Sequence, residues 1–184
     1  VQRMKYNGDG KIVLTYASTE GPWNNPRGNG GIRLLNIADD SITDITPEKN
    51  GYGDVVIDPA NPDRMVAVTE NVYDQQANGT FGDDFYVTTD GGKTWKNINL
   101  DMTMSGGDVS WHNESSMHWC SSLAIDPHNT GKIMVVSGNG IFSCDNIWDE
   151  HPAFYFFAEG IEETVPYELV SIPGGELVTV VGDY

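Results

Sequence analysis

The side chains best suited to chemistry are an aspartate at the end of an apolar run and several tryptophans and histidines in polar connections. Asp183 follows Leu177-Val178-Thr179-Val180-Val181-Gly182, a β-branched run that reads as a strand. A carboxyl at a strand end, partly withdrawn from water, can keep its proton near neutral pH and act as a general acid. Gly-Asp at a strand end is also ordinary turn chemistry, and the residues alone leave both readings open. Glu162 and Glu163 are a tempting pair, but consecutive strand residues point to opposite faces; they read as structural or solvated. Trp23 lies in the loop Gly21-Pro22-Trp23-Asn24-Asn25, Trp111 in the polar stretch of residues 101–118, and Trp119 just after it. Each offers a face on which a sugar ring can stack, since the C–H faces of a pyranose are apolar. Packing of each against its own sheet is the competing reading. His112 adds a hydrogen-bonding group beside Trp111. His112 and His118 have no third ligand at useful spacing, so no metal site is expected, and no cofactor is called for.

The elements that position these residues are strands. No stretch longer than a turn or two carries apolar residues at helical spacing. Val56-Ile57-Asp58-Pro59-Ala60-Asn61-Pro62 is echoed by Ala124-Ile125-Asp126-Pro127-His128-Asn129-Thr130. In both, a strand ends at Asp-Pro, a polar turn follows, and a second apolar run returns antiparallel. Looser copies begin at Lys5 and Glu168. Gly-flanked or aromatic third strands (Gly31-Ile32-Arg33-Leu34-Leu35, Phe85-Tyr86-Val87, Gly140-Ile141-Phe142) and short fourth strands complete the first three units. Each unit reads as a four-stranded meander, the blade of an all-β propeller. Residues 1–166 are expected to supply about three blades, and residues 167–184 the first strands of the next blade or of a second propeller. Propellers close with about four to eight blades, so the expectation is a piece of a longer chain, or one completed by another polypeptide.

The 184 residues carry a net charge of −17, which argues against nucleic acid, whose phosphates need clustered Lys and Arg. Scattered acidic residues also suit a soluble secreted protein. No apolar run approaches the ~20 residues of a membrane-spanning helix. Cys120 and Cys144 make no disulfide framework, and their pairing is left open. Thr88-Thr89-Asp90-Gly91-Gly92-Lys93-Thr94-Trp95 fits the Asp-box, Ser/Thr-x-Asp-x-Gly-x-Thr-Trp. There the carboxylate is used by the turn, the glycines allow positive φ, and the Trp packs beneath the hairpin. Asp90 is therefore expected to be structural. Asn78-Gly79-Thr80 and Asn113-Glu114-Ser115 permit glycosylation in a eukaryotic source.

Trp119-Cys120-Ser121-Ser122-Leu123-Ala124-Ile125-Asp126-Pro127, then Gly160-Ile161-Glu162-Glu163-Thr164, Pro173-Gly174-Gly175 and Val181-Gly182-Asp183 stand in the order and spacing of glycoside hydrolase family 74. The chain resembles that family over nearly its whole length. The resemblance implies two seven-bladed propellers facing across an open cleft, and hydrolysis of the β-1,4-glucan backbone of xyloglucan with inversion by an aspartate from each propeller. The general acid falls on Asp183, and the partner aspartate lies outside this chain. It further implies a secreted protein whose partner is plant cell-wall xyloglucan. The chain departs from the family pattern at Cys120, where a second Trp or bulky residue is usual, at Tyr184, and over Val165-Pro166-Tyr167-Glu168.

Two other functions are weighed against this one. A non-catalytic glycan- or protein-binding propeller would share the fold without the acid. A sialidase would need an arginine triad and a Tyr–Glu pair, and Arg3, Arg27, Arg33 and Arg64 are too few at strand ends to supply it.

Overall fold

A computed structural model describes residues 1–17, 29–70, 72–75, 78–106, 117–120 and 122–158, together with the strands at 166–171 and 177–181. Among the described residues the regular structure is entirely β. Blade 1 is the antiparallel sheet β1 (Arg3–Tyr6), β2 (Lys11–Tyr16), β3 (Gly31–Asn36) and β4 (Ile42–Asp44), in that spatial order. Blade 2 repeats it with β5 (Tyr52–Ile57), β6 (Met65–Thr69), β7 (Phe85–Thr88) and β8 (Lys96–Asn97). Blade 3 comprises β10 (Ser122–Ile125), β11 (Ile133–Ser137), β12 (Gly140–Cys144) and β13 (Ala153–Phe156). Beyond it, β14 (Pro166–Ser171) and β15 (Leu177–Val181) form a two-stranded antiparallel sheet. These are the blades of a β-propeller. One element was not foreseen. β9 (Thr103–Ser105), within the stretch read as a polar loop, pairs parallel with β13 at the outer edge of blade 3. At three residues it is too short to show a period in sequence.

The core lies between blades rather than within them. Blade 2 is covered on both sides, so β6 reads as an unbroken apolar run, Met65-Val66-Ala67-Val68, all buried. Strand alternation divides it. Val55, Met65, Ala67 and Tyr86 pack toward blade 1 with Val13, Ile32 and Ile45. Val56, Val66, Val68 and Phe85 pack toward blade 3 with Leu123, Val135, Phe142 and Phe154. Each fully buried side chain of this size contributes about 1.5–3 kcal/mol of transfer free energy. On the other faces of blades 1 and 3, Met4, Tyr6, Ile42 and Val136 are exposed, at places that a neighbouring blade covers in blade 2.

Tryptophans lace the blades at their outer ends. Trp95 Nε1 donates to the carbonyl of Ile45 in blade 1 at 2.7 Å, and Arg64 of blade 2 lies 5.5 Å from the ring centre of Trp148 in blade 3. In the β7–β8 turn, Asp90 accepts from Thr94 N at 2.9 Å and from the Thr94 and Thr88 hydroxyls. Those hydrogen bonds, led by the Thr94 hydroxyl, hold its carboxyl down at about 2. Gly92 has φ 83°, and a Cβ there would meet Ile45 Cδ1 at 2.9 Å. Cys120 and Cys144 are both buried and free.

At the inner ends a single carboxylate ties three blades. Asp54, on β5, is fully buried. It accepts from Leu123 N of blade 3 at 2.9 Å, and Arg3 Nε and Lys5 Nζ of blade 1 stand 3.9 and 3.6 Å away. Asp54→Ala leaves the buried Leu123 N–H without an acceptor, a loss of about 1–3 kcal/mol in unfolding free energy. Asp54→Asn, which retains a carbonyl oxygen, is expected to lose clearly less. Denaturant unfolding compares them, and equal losses would contradict this role.

Candidate functional site

Connections from the second to the third strand of a blade, and from one blade to the next, leave the sheets at the end opposite the β7–β8 turn. The β6–β7 connection of blade 2 carries Tyr73 and Phe81, and the connection entering blade 3 carries His118 and Trp119. Their rings meet. Tyr73 and Trp119 stack with centroids 4.9 Å apart and planes 23° apart. Phe81 sets its edge against Tyr73 at 5.1 Å. His118 lies beneath, edge-on to Tyr73 at 4.8 Å and to Trp119 at 5.2 Å. Tyr73, Phe81 and Trp119 are respectively 58%, 42% and 42% exposed, whereas His118 is buried. Three large rings grouped at the surface leave apolar area in water, the kind of patch on which a ligand can dock.

Local folding explains the grouping. A bridge between Gln75 and Phe81 and a hydrogen bond from Gly82 N to Asp74 O (3.0 Å) turn the β6–β7 connection back on itself. Trp119 sits in the left-handed region at φ 53°, rare for a bulky residue and held only where the surroundings dictate it. Its ring lies over Gly138, where a Cβ would meet Trp119 Cε3 at 2.5 Å. Only glycine fits beneath that ring.

The platform sits above buried carboxyl chemistry. Asp83, 1% exposed, has its carboxyl pushed up to about 7 by burial, against the lowering effect of hydrogen bonds from Cys120, Thr69 and Val72. Burial, reinforced by the adjacent Asp83 charge, raises the Cys120 thiol well above its ordinary value. Burial also raises Glu70, while Gln2 donates to it.

Of the residues singled out in the sequence, Trp119 lies at this platform. Trp23, Trp111, His112 and Asp183 lie outside the described residues, as do Glu162 and Glu163. Asp183 follows the second strand of its sheet, as Glu70 follows β6 in blade 2. Tyr73, Phe81 and Asp83 were not picked out in the sequence. The signal for them was the length and aromatic content of the connection between Val68 and Phe85. The described arginines do not converge. Arg3 faces Asp54, Arg33 pairs with Asp44 at 2.8 Å, and Arg64 stands 3.9 Å from Asp58. Among the described residues no group of three metal-ligating side chains occurs.

No family profile matches the chain. It is 25% identical over 232 residues to an oligoxyloglucan-reducing end-specific xyloglucanase of Emericella nidulans, covering 95% of this chain and 28% of that protein. It is 29% identical over 208 residues to the xyloglucanase Xgh74A of Acetivibrio thermocellus, covering 95% of this chain and 24% of the relative. Among solved structures, the GH74 enzyme of Niastella koreensis superposes with a TM-score of 0.78 at 35% identity, over 98% of this chain and 27% of that one. The GH74 xyloglucanase of Xanthomonas campestris gives 0.76 at 28% identity, over 98% and 26%. The chain thus spans about a quarter of the length of the relatives it matches. Motif order, blade architecture and these relatives agree: the chain is a β-propeller segment similar to part of the glycoside hydrolase family 74 enzymes.

Proposed function

We propose that the full-length polypeptide containing this chain hydrolyses the β-1,4-glucan backbone of xyloglucan with inversion, and that this segment supplies part of the glucan-binding surface and the general acid. The observation that carries the reading is the exposed Tyr73–Trp119 stack, at the blade end from which the chain also leaves β15 toward Asp183. Ring faces hold a glucan by its apolar C–H faces and need no charge to do so. Xyloglucanases among the relatives make xyloglucan the substrate of choice. Trp23, Trp111 and His112 extend the same surface in this reading, and Asp183 protonates the leaving oxygen. Its partner, an aspartate outside this chain, activates water at roughly 6.5–9.5 Å.

The remaining assignments follow from the same reading. Blades 1–3 belong to one propeller, and β14–β15 open the next blade. Further blades of the same protein cover Met4, Tyr6, Ile42 and Val136. The turn at residues 88–95 is a structural Asp-box. The protein is extracellular, where its polysaccharide lies.

A second reading, a glycan- or protein-binding propeller without chemistry, is favoured by the platform taken alone, since stacking rings bind without reacting. Trp119→Ala in the full-length polypeptide is expected to raise KM for soluble xyloglucan about tenfold, equivalent to ~1.4 kcal/mol of lost binding, with kcat changed less. Binding that weakens in a protein with no turnover would favour the second reading, and an unchanged KM would remove the platform from the site.

A further inference from the structure

Asp83 joins the two connections that carry the stacked rings. Its Oδ1 accepts from Thr69 Oγ1 at 2.7 Å and from Val72 N at 3.2 Å, and its Oδ2 accepts from Cys120 N at 2.8 Å. Val72 precedes Tyr73, and Cys120 follows Trp119. One carboxyl therefore stands one residue away from each ring of the stack. The main chain reinforces the link, since Asp83 N donates to Met117 O at 2.8 Å. Gly82 makes that approach possible: its φ is 89°, and a Cβ there would meet Met117 O at 2.2 Å. The Cys120 N–H held by Asp83 is also the next amide after the left-handed Trp119, so the carboxyl acts where that backbone conformation must be maintained.

We propose that Asp83 is a positioning residue for the Tyr73–Trp119 platform: by fastening Val72 and Cys120 to one buried carboxyl, it sets the spacing and tilt of the two rings and thereby the affinity for a glucan chain. The proposal rests on the reading of the platform as a glucan-binding surface. Asp83 touches no substrate itself. A purely structural role would lower stability without acting through Trp119.

The test is steady-state kinetics of the full-length polypeptide on soluble xyloglucan. Asp83→Asn preserves shape but presents an amide NH₂ where one of the three donors now binds. It is expected to raise KM about five- to tenfold with kcat within about twofold. In a Trp119→Ala background the same substitution is expected to add less than about twofold, because its effect passes through that ring. Should Asp83→Asn yield no folded protein, Thr69→Ala removes a single donor and is expected to give a smaller rise in KM that likewise vanishes in the Trp119→Ala background. A raised KM in Trp119→Ala with none in the Asp83 or Thr69 variants would overturn the positioning role and leave the platform reading standing. Equal effects in both backgrounds, or kcat falling in step with kcat/KM, would also overturn it. An unchanged KM in Trp119→Ala would overturn the platform reading itself.

Discussion

In the full-length polypeptide, Asp183→Asn is expected to lower kcat on xyloglucan about 10³-fold, within the range by which general acid catalysis accelerates such reactions. The glycosidic oxygen is a poor leaving group unless it is protonated as the bond breaks, and an amide cannot supply that proton. Binding should survive, because ring stacking does not depend on this carboxyl; KM is expected to stay within about threefold. A glycoside whose leaving group is an acidic phenol needs little protonation. The variant should therefore recover most of its rate on an aryl β-glucoside of a xyloglucan oligosaccharide. Loss on both substrates alike would assign Asp183 a role other than acid, and a kcat within twofold of the unsubstituted protein would remove it from the chemistry.

The second large effect concerns stability. The Asp83 carboxyl has an ordinary value of 3.8 and stands at about 7 in the folded protein, raised chiefly by burial. Below the ordinary value both states carry the proton and the group contributes no pH dependence. As pH rises from about 4 to about 7, the unfolded chain releases the proton while the folded one keeps it, so stability falls; above about 7 both are ionised and the decline ends. At 1.36 kcal/mol per pH unit of separation, the full fall is about 4 kcal/mol. Asp83→Asn has nothing to titrate there. The difference in unfolding free energy between variant and parent should therefore shift in the variant's favour by up to that amount across this window. A difference that is flat with pH would show that the three donors on the carboxyl offset its burial.

The meander pattern was legible because blade 2 is buried on both faces. Its first three strands are mostly apolar, and the Asp-Pro of residues 58–59 and 126–127 ends β5 and β10 cleanly. Trp119 was legible as a surface aromatic after a long polar stretch. Tyr73 and Phe81 were not, because a ring in a polar loop looks the same in sequence whether it is isolated or stacked on a residue from the next blade. Asp83 was hidden for a related reason. Its partners are Thr69 at the end of β6, Val72 in the β6–β7 connection and Cys120 in the connection entering blade 3, the last brought to it only by blade packing, and its burial is a tertiary property. The same holds for Asp54, an aspartate in a strand otherwise apolar, whose partners lie on the blades to either side. β9 was missed because its pairing with β13 is remote in sequence and leaves no period.

Hydrolysis of xyloglucan with inversion, as proposed for the full-length polypeptide, is tested most directly by proton NMR of the reducing end newly formed from soluble xyloglucan, recorded before mutarotation equilibrates the anomers. Inversion at a β-1,4 linkage predicts that the α-anomer appears first and the β-anomer grows in later. A β-anomer appearing first would contradict the inverting mechanism assigned to Asp183 and its partner, and the absence of any new reducing end would contradict the hydrolase assignment altogether.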